Sequence, residues 1–505
     1  MEPLLNGFLI VFQPINILMM LIGMVLGILV GILPGIGGAM CIALLIPFTF
    51  QTAPIRGILI MVTLYVTATY GGSITSILFK IPGEPSNIVT TLDGYELNKK
   101  GEAGRALGIA IFSSCLGGIF STVVLILVSP QLAAIALRFG DAEYFALAVL
   151  GLSVCTAIGG GSAIKKALSA MLGLFFATWG FGEVSGAPRF TFGISALLMG
   201  IGIVPASIGL FAIGEVFEQV EKMLKKGHDK GKIAQKKVKI GFPPLKDILR
   251  LKWLYLRSAV LGTFIGTLPG VGSTTASFLG YSEAMRWSKE PEKFGTGIIE
   301  GVAAPETANN AASVGAMVPL ITLGIPGSVV TAMMMGAFMI HGIRPGPMMI
   351  VQQADLVYAI FAGLLLSNLL VILGGLIGIK FMVRILDVSY PKIGAGILLF
   401  SVIGSYALKN SMADVYIAFS FGVLSFFMRR FGFGAAPMVL GLVLGPFCET
   451  SFQRAMLIAN YNFLSLFKRP VCGLLLMVAF ISFFYPWIRQ WMSWRKRAKT
   501  SHARS

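Results

Sequence analysis

Gly31-Ile-Leu-Pro-Gly-Ile-Gly-Gly38 interrupts one apolar stretch of the chain, and Gly266-Thr-Leu-Pro-Gly-Val-Gly-Ser273 interrupts another, 235 residues later. Proline removes a backbone donor and breaks a helix, while glycine admits positive φ and close backbone approach. Such backbone survives at membrane depth only when it is packed in protein or lines a cavity. Further landmarks repeat in the same order. Ile81-Pro-Gly83 is echoed by Ile325-Pro-Gly327, 244 residues on, and the apolar run Leu107–Val128 by Leu356–Ile379. Late in each half, Gly173-Leu-Phe-Phe with Gly180-Phe-Gly182 resembles Gly422-Val-Leu with Phe431-Gly-Phe-Gly434. The chain reads as a duplication of about Ile15–Gln219 and Lys252–Ser465.

Composition sets the solvent. Of 505 residues, 56% are hydrophobic and 12% charged, against roughly 25% charged in a typical soluble domain. Mean hydropathy is +0.83, too apolar for a surface facing water. A soluble enzyme, a disordered protein and a disulfide scaffold are excluded, which leaves an all-α polytopic membrane protein. At about 40 residues per span and loop, the length predicts roughly 12 crossings. Ile17–Leu33, Gly57–Phe79, Leu107–Val128, Ile194–Gly214, Leu356–Ile379 and Val471–Ile488 are long enough to span. Ala39–Phe50 and Ser273–Tyr281, the latter about two turns, are too short for a ~30 Å core. Short, broken segments at corresponding places in two halves point to the binding site of a transporter.

The net charge of +18 is concentrated. Lys222 to Lys252 holds eleven basic residues against Asp229 and Asp247, a net of +9, and the tail from Arg489 adds +6 with no acid. Basic segments beside hydrophobic spans follow the positive-inside rule and sit well against anionic lipid. No aromatic-interleaved basic face accompanies them, so nucleic acid is not the expected partner. In the first half the richer loop, with Lys99, Lys100 and Arg105, follows the Ile-Pro-Gly break. In the second half the richer loop, with Arg286, Lys289 and Lys293, follows the Leu-Pro-Gly break. That exchange predicts two inverted-topology repeats with broken helices. The expected division is a first membrane repeat (1–220), a basic cytoplasmic linker (221–252), a second membrane repeat (253–466), one extra C-terminal transmembrane helix (467–489) and a basic cytoplasmic tail (490–505). Met1–Gln13 carries no basic n-region and is read as retained. Five cysteines lie in apolar runs without CxxC spacing, and three histidines are too few for a His-based metal site.

Three groups of residues carry candidate chemistry. Pro34, Gly35, Gly37 and Gly38, with Pro269, Gly270, Gly272, Ser273 and Thr274, would free carbonyls suited to a hard coupling cation. A kinked helix with close glycine packing is the bland alternative for either motif alone. Ser73, Thr75, Ser76, Pro82, Gly83, Ser86 and Asn87, with Thr322, Pro326, Gly327 and Ser328, offer neutral donors and half-helix ends to an anionic substrate. Back-bonding of these hydroxyls to helix carbonyls competes with that role. Glu306, Asn309 and Asn310 fall within about a turn on one helix. The amides suit a cation, and the acid would neutralise a cation or carry a proton. Glu183, Glu215, Asp414 and Glu449 read as interfacial, and Met333-Met-Met335 as helix packing.

These motifs resemble the large membrane subunit of the tripartite tricarboxylate transporters, the TctA-type permease. The likeness runs from Gly31-Ile-Leu-Pro-Gly-Ile-Gly37 to Gly441-Leu-Val-Leu-Gly445. It is most specific at Tyr70-Gly-Gly-Ser73, Ile81-Pro-Gly83 with Asp93-Gly-Tyr95, Gly266-Thr-Leu-Pro-Gly-Val-Gly272 and Pro305-Glu-Thr-Ala-Asn-Asn310. The resemblance implies a secondary transporter of the bacterial inner membrane working with a small TctB-type membrane subunit and a periplasmic TctC-type binding protein. It implies import of citrate-like di- and tricarboxylates on a Na⁺ or H⁺ gradient, with no organic cofactor; a homo-oligomer is left open. Neutral hydroxyl, amide and carbonyl ligands favour Na⁺ over H⁺. A channel would show no saturation and no coupling. An intramembrane enzyme would need a nucleophile–base constellation, and neither GxSxG nor HExxH is present.

Overall fold

The computed structural model describes residues 2–33, 35–157, 162–226, 241–378 and 388–485. Pro34, most of the basic linker, the end of the extra C-terminal helix and the basic tail lie outside the described residues.

The described chain is helical nearly throughout. In the first half run α1 (Glu2–Val11), α2 (Pro14–Ile32), α3 (Gly38–Thr49), α4 (Pro54–Phe79), α5 (Thr90–Lys99), α6 (Ala103–Ala136), α7 (Asp141–Ala157), α8 (Ala163–Ala177) and α9 (Ile203–Lys225). Next come α10 (Leu245–Arg250), α11 (Lys252–Thr267), α12 (Gly272–Trp287), α13 (Glu300–Gly315), α14 (Met317–Leu323), α15 (Val329–Ile340) and α16 (Pro347–Gln352). The chain closes with α17 (Ala354–Gly378), α18 (Tyr390–Ala407), α19 (Met412–Arg430), α20 (Ala435–Ile458), α21 (Leu464–Lys468) and α22 (Pro470–Tyr485). Among the described residues, α2, α4, α6, α9, α17, α19 and α20 are long and apolar enough to cross a membrane. Together with the composition, they make this an all-α, multi-pass membrane protein.

Two expected segments differ from the sequence reading. The apolar run from Ile194 is not one helix: Ser195–Met199 is a short 3₁₀ turn, and the chain bends at Gly200 (φ 73°). The helix begins only at Ile203, with a π turn over Ile208–Ile213. Conversely, the stretch from Ser273 is not two turns but a helix of 16 residues, because Ser282, Glu283 and Arg286 carry it past the apolar run.

Contacts divide the chain into two compact units, each built from both sequence halves. One unit holds 138–201 and 431–505, with α7, α8, α20 and α22. There Gly173 lies against Met438 O and Gly441 against Ala170 O, so α8 and α20 meet backbone to backbone. Arg189 pairs with Glu449, and Arg469 with Glu143 at 3.1 Å. An apolar groove of about 1060 Å³ lies between Phe145, Met171, Leu174 and Met477. The walls of that groove are apolar.

The other unit holds 1–137 and 202–430. Gly23, Gly27 and Gly31 on α2 lie against the carbonyls of Ile60, Leu64 and Ala68 on α4, so the two helices run side by side in one direction. Gly262 and Gly266 on α11 lie in the same way against Ala308 and Ala312 on α13. Finer details coincide too. A Cβ on Gly71 would meet Ile28 O and Gly31 Cα, and one on Gly315 would meet Thr263 O and Gly266 Cα. These residues are separated by the sequence offsets of the motifs, 244 for the glycines and 235 for their neighbours. Between α4 and α13, Thr69 reaches Ser313 (3.4 Å) while Ser73 reaches Glu306 (2.6 Å). Partner numbers fall on one helix as they rise on the other, so α4 and α13 run in opposite directions.

Candidate functional site

The polar residues of this unit converge where α4, α5, α6 and α13 meet. Glu306, fully buried on α13, accepts hydrogen bonds from Thr90 Oγ1 (2.5 Å), Ser73 Oγ (2.6 Å) and Ser114 Oγ (3.2 Å). Those hydroxyls come from three different helices. Asn87 steadies one of them: its Nδ2 donates to Ser73 Oγ (2.9 Å) and to Thr69 O (3.2 Å). No ion pair to Glu306 occurs among the described residues, so neutral dipoles, chiefly these three hydroxyls, compensate its carboxyl group. Two turns or less away, Asn309 has neither amide atom hydrogen-bonded, and Asn310 uses only Nδ2, toward Glu306 O (3.1 Å). Buried, unsatisfied amides are uncommon in native interiors and mark a place for water, an ion or a ligand.

A second acid closes the end of the same helix. Asp93 on α5 accepts from the backbone N–H groups of Gly295 (2.9 Å), Gly297 (2.8 Å) and Ile298 (3.0 Å), and from Tyr281 Oη (2.8 Å). It caps, from another helix, the turn that leads into α13. Thus α5 grips α13 twice, through Thr90 at Glu306 and through Asp93 at its start.

The two interrupted loops of each half also meet. After α4 the chain reverses, so that Gly83 N–H donates to Gly72 O (3.4 Å) and a Cβ on Gly83 would lie 2.0 Å from Gly31 O. Gly38 N–H, at the start of α3, donates to Glu84 Oε1 at 2.7 Å. In the second half Gly270 N–H donates to Gly327 O at 2.9 Å. Ser328 there forms a capping box with Thr331: Ser328 N–H donates to Thr331 Oγ1 (2.8 Å), and Thr331 N–H to Ser328 Oγ (3.2 Å). Tyr65 Oη of α4 lies 3.5 Å from Ser328 Oγ. The tip at Gly35 (φ 85°) faces α9, where its Cβ would lie 2.6 Å from Glu215 Oε1. Glu215 in turn pairs with Arg429.

The structure therefore joins residues that the sequence assigns to separate sets, since Ser73 and Asn87 surround Glu306. Other candidates stand apart. Thr75 Oγ1 bonds back to Gly72 O at 3.3 Å and Thr322 Oγ1 to Val318 O at 2.7 Å, as ordinary helix hydroxyls do. Ser76 Oγ lies against both Gly72 O (2.9 Å) and Asn87 O (3.1 Å) and so ties α4 to the loop that carries Asn87. Ser86 is buried with its hydroxyl unpartnered. Pro82 and Pro326 hold the reversals, and Pro269, Gly272, Ser273 and Thr274 stand at the entry to α12 with no side-chain cap. Thr90, Ser114, Tyr65, Tyr281 and Glu84 escaped the sequence reading. Only Glu84 left a signal, an acid inside the broken stretch Ile81-Pro-Gly-Glu-Pro-Ser-Asn87.

Comparison with known proteins agrees with the motifs. The profile of the tripartite tricarboxylate transporter TctA family matches residues 17–440. An uncharacterized 52.8 kDa protein in the TAR-I ttuC' 3' region of Agrobacterium vitis is 39% identical over 472 residues, covering 94% of this chain and 93% of that protein. A protein in the TAR-II ttuC' 3' region of the same organism is 41% identical over 215 residues, covering 43% of this chain and 89% of the relative. No solved structure matches. The chain belongs to the tripartite tricarboxylate transporter TctA family.

Proposed function

We propose that this chain is the large permease subunit of a binding-protein-dependent secondary transporter that imports citrate-like di- and tricarboxylates on a cation gradient. Its setting is the bacterial inner membrane, with linker and C-terminal tail cytoplasmic and roughly 12 crossings. A small TctB-type subunit and a periplasmic TctC-type binding protein complete the system. The observation that carries the reading is the buried polar junction: two pairs of interrupted loops flank α4 and α13, and on α13 both amide atoms of Asn309 and the Oδ1 of Asn310 are unsatisfied. A polar interior of this kind, reached by broken helices, is what a midplane substrate site requires.

Alternating access follows from two inverted repeats. Three features support that arrangement: α2 runs with α4, α11 runs with α13, and the two pairs run oppositely where Thr69 meets Ser313. Those two residues are 244 apart, the offset of the Ile-Pro-Gly pair, so the axis relating the repeats passes between them. Backbone carbonyls near Gly35–Gly38 and Gly270–Ser273, with Asn309 and Asn310, hold the coupling ion, Na⁺ before H⁺. The loops at Ser86 and Ser328 face the substrate carboxylates. Glu306, closed in by three hydroxyls, locks α13 to the first repeat.

The test is uptake into sealed vesicles containing the membrane subunits, with binding protein outside and an imposed Na⁺ gradient, H⁺ gradient or neither. Saturable, gradient-driven accumulation of labelled citrate or a dicarboxylate is expected. Non-saturating flux without a gradient would leave a channel instead.

A further inference from the structure

We propose that Glu84 is the exchangeable carboxylate of the coupling site: it takes up one positive charge, a sodium ion or a proton, where the two interrupted loops of the first repeat meet. The inference rests on the transporter reading and gives it a residue.

Depth comes first. Helix α4 runs from Pro54 to Phe79, so its midpoint lies near Val66. The chain leaving it folds back: Gly83 N–H bonds to Gly72 O and Asn87 Nδ2 to Thr69 O. At 1.5 Å per residue, Gly72 is about 8 Å along the helix from that midpoint. Glu84 follows Gly83 directly and so sits well inside the span of the helix. An ionisable side chain at that depth is costly unless it is compensated, and functional by default.

Compensation distinguishes the three acids of this region. Glu306 receives three hydroxyls, and Asp93 receives three backbone N–H groups and a phenol. Glu84 receives one N–H, from Gly38, on Oε1. Its Oε2 has no hydrogen-bond partner, and no ion pair reaches it, among the described residues. A single N–H at a helix start offsets only part of a carboxylate's lost hydration. Glu84 is also the accessible one. It is half-buried, whereas Glu306 and Asp93 are fully enclosed. A cation can reach its free oxygen without dismantling a hydrogen-bond set.

The second repeat shows why one charge is involved. The residue 244 positions after Glu84 is Ser328, neutral and already satisfied by Thr331. Of these two corresponding positions, only Glu84 carries a carboxylate. Neutralising it leaves an uncharged junction able to cross between the two sides, and an empty Glu84 holds it back by its charge. Coupling follows.

The experiment compares wild type, Glu84→Gln and Glu84→Asp in vesicles containing the membrane subunits and supplied with binding protein. Gradient-driven accumulation and counterflow exchange of labelled substrate are both read. Glu84→Gln is expected to lose driven accumulation at least tenfold, keep counterflow, and show no stimulation by sodium or by acid outside. Glu84→Asp should keep driven accumulation with the cation concentration for half-activation raised several-fold. Stimulation of wild type by sodium at constant pH identifies the ion as sodium; stimulation by acid alone identifies a proton. Driven accumulation by Glu84→Gln with wild-type cation dependence overturns the proposal and leaves the transporter reading intact. Failure of wild type to accumulate under any gradient overturns both. Melting of each purified variant guards against misfolding, and Glu84→Asp carries the test if Glu84→Gln does not fold.

Discussion

Where its two interrupted loops meet, the first half places a carboxylate, and the second half places a hydroxyl. Glu84 lies on Gly38 N–H with an oxygen to spare, while Ser328 turns inward to cap its own helix, α15. The backbones around them are alike: each Ile-Pro-Gly turn packs on the long helix before it and touches its Leu-Pro-Gly partner. Two backbones of one pattern thus carry different side chains at corresponding positions, charged at Glu84 and neutral at Ser328. In the proposed mechanism the paired frame moves to either side, and the residue that differs determines what must be bound before it moves.

The largest expected effect comes from tightening the frame itself. A Cβ on Gly83 would meet Gly31 O at 2.0 Å and Gly72 Cα at 2.5 Å, both backbone atoms unable to swing away. Gly83→Ala should destabilise by ~3 kcal/mol, the upper part of the range for overpacking. On Gly327 the same Cβ would meet the Cα and O of Ala316, also backbone, but at 2.8 Å, a milder clash, so Gly327→Ala should cost less, about 1 kcal/mol. Melting temperatures of the two purified variants in one detergent check the difference. Equal losses would mean that the first junction is no tighter than the second.

Next in size is the contrast between the enclosed acid and the open one. Glu306→Ala strands the hydroxyls of Ser73, Thr90 and Ser114 and should cost ~2 kcal/mol of stability. Glu84→Ala releases one N–H and should cost less than about 1 kcal/mol. The same melts decide. If Glu84→Ala is the more damaging, Glu84 is a structural anchor and its free oxygen has no functional meaning.

Much of this architecture was legible in the sequence. Breaks at Pro and Gly are local events, and they fall where Leu33-Pro-Gly35 and Leu268-Pro-Gly270 place them. Spans such as Pro54–Phe79 follow from apolar length. The failures have physical causes. From Ile194 the residues are apolar but Gly200 and Gly202 deny them a helix, whereas polar Ser282 and Glu283 extend α12 beyond its apolar run. Within the site, Thr90 and Ser114 lie 216 and 192 residues from the carboxylate they hold, and no periodicity reports a contact of that range. Asp93 stands in the sequence only as part of Asp93-Gly-Tyr95, because its partners, three backbone N–H groups and the Tyr281 hydroxyl of the other half, leave no local signature. Glu84 was visible as a residue, but its standing depends on what its neighbours leave unsatisfied, and that is a property of the folded chain.

The smallest expected effect probes the neutral junction. Ser328→Ala removes the capping box of α15, which should cost about 1 kcal/mol, the usual loss for such a cap. Tyr65→Phe removes only a hydroxyl at 3.5 Å from Ser328 Oγ, at the outer limit of hydrogen bonding, and should change stability by less than about 0.5 kcal/mol. A double-mutant cycle between them should therefore show almost no coupling in the empty protein. Repeating the melts with citrate or a dicarboxylate tests the proposed role of Ser328. If substrate seats between the repeats, Tyr65 and Ser328 become coupled through it, because each then contributes a donor to the same anion. Coupling that stays near zero in the presence of substrate would confine Ser328 to capping its helix and leave the charged junction at Glu84 as the only one of the pair with a part in binding.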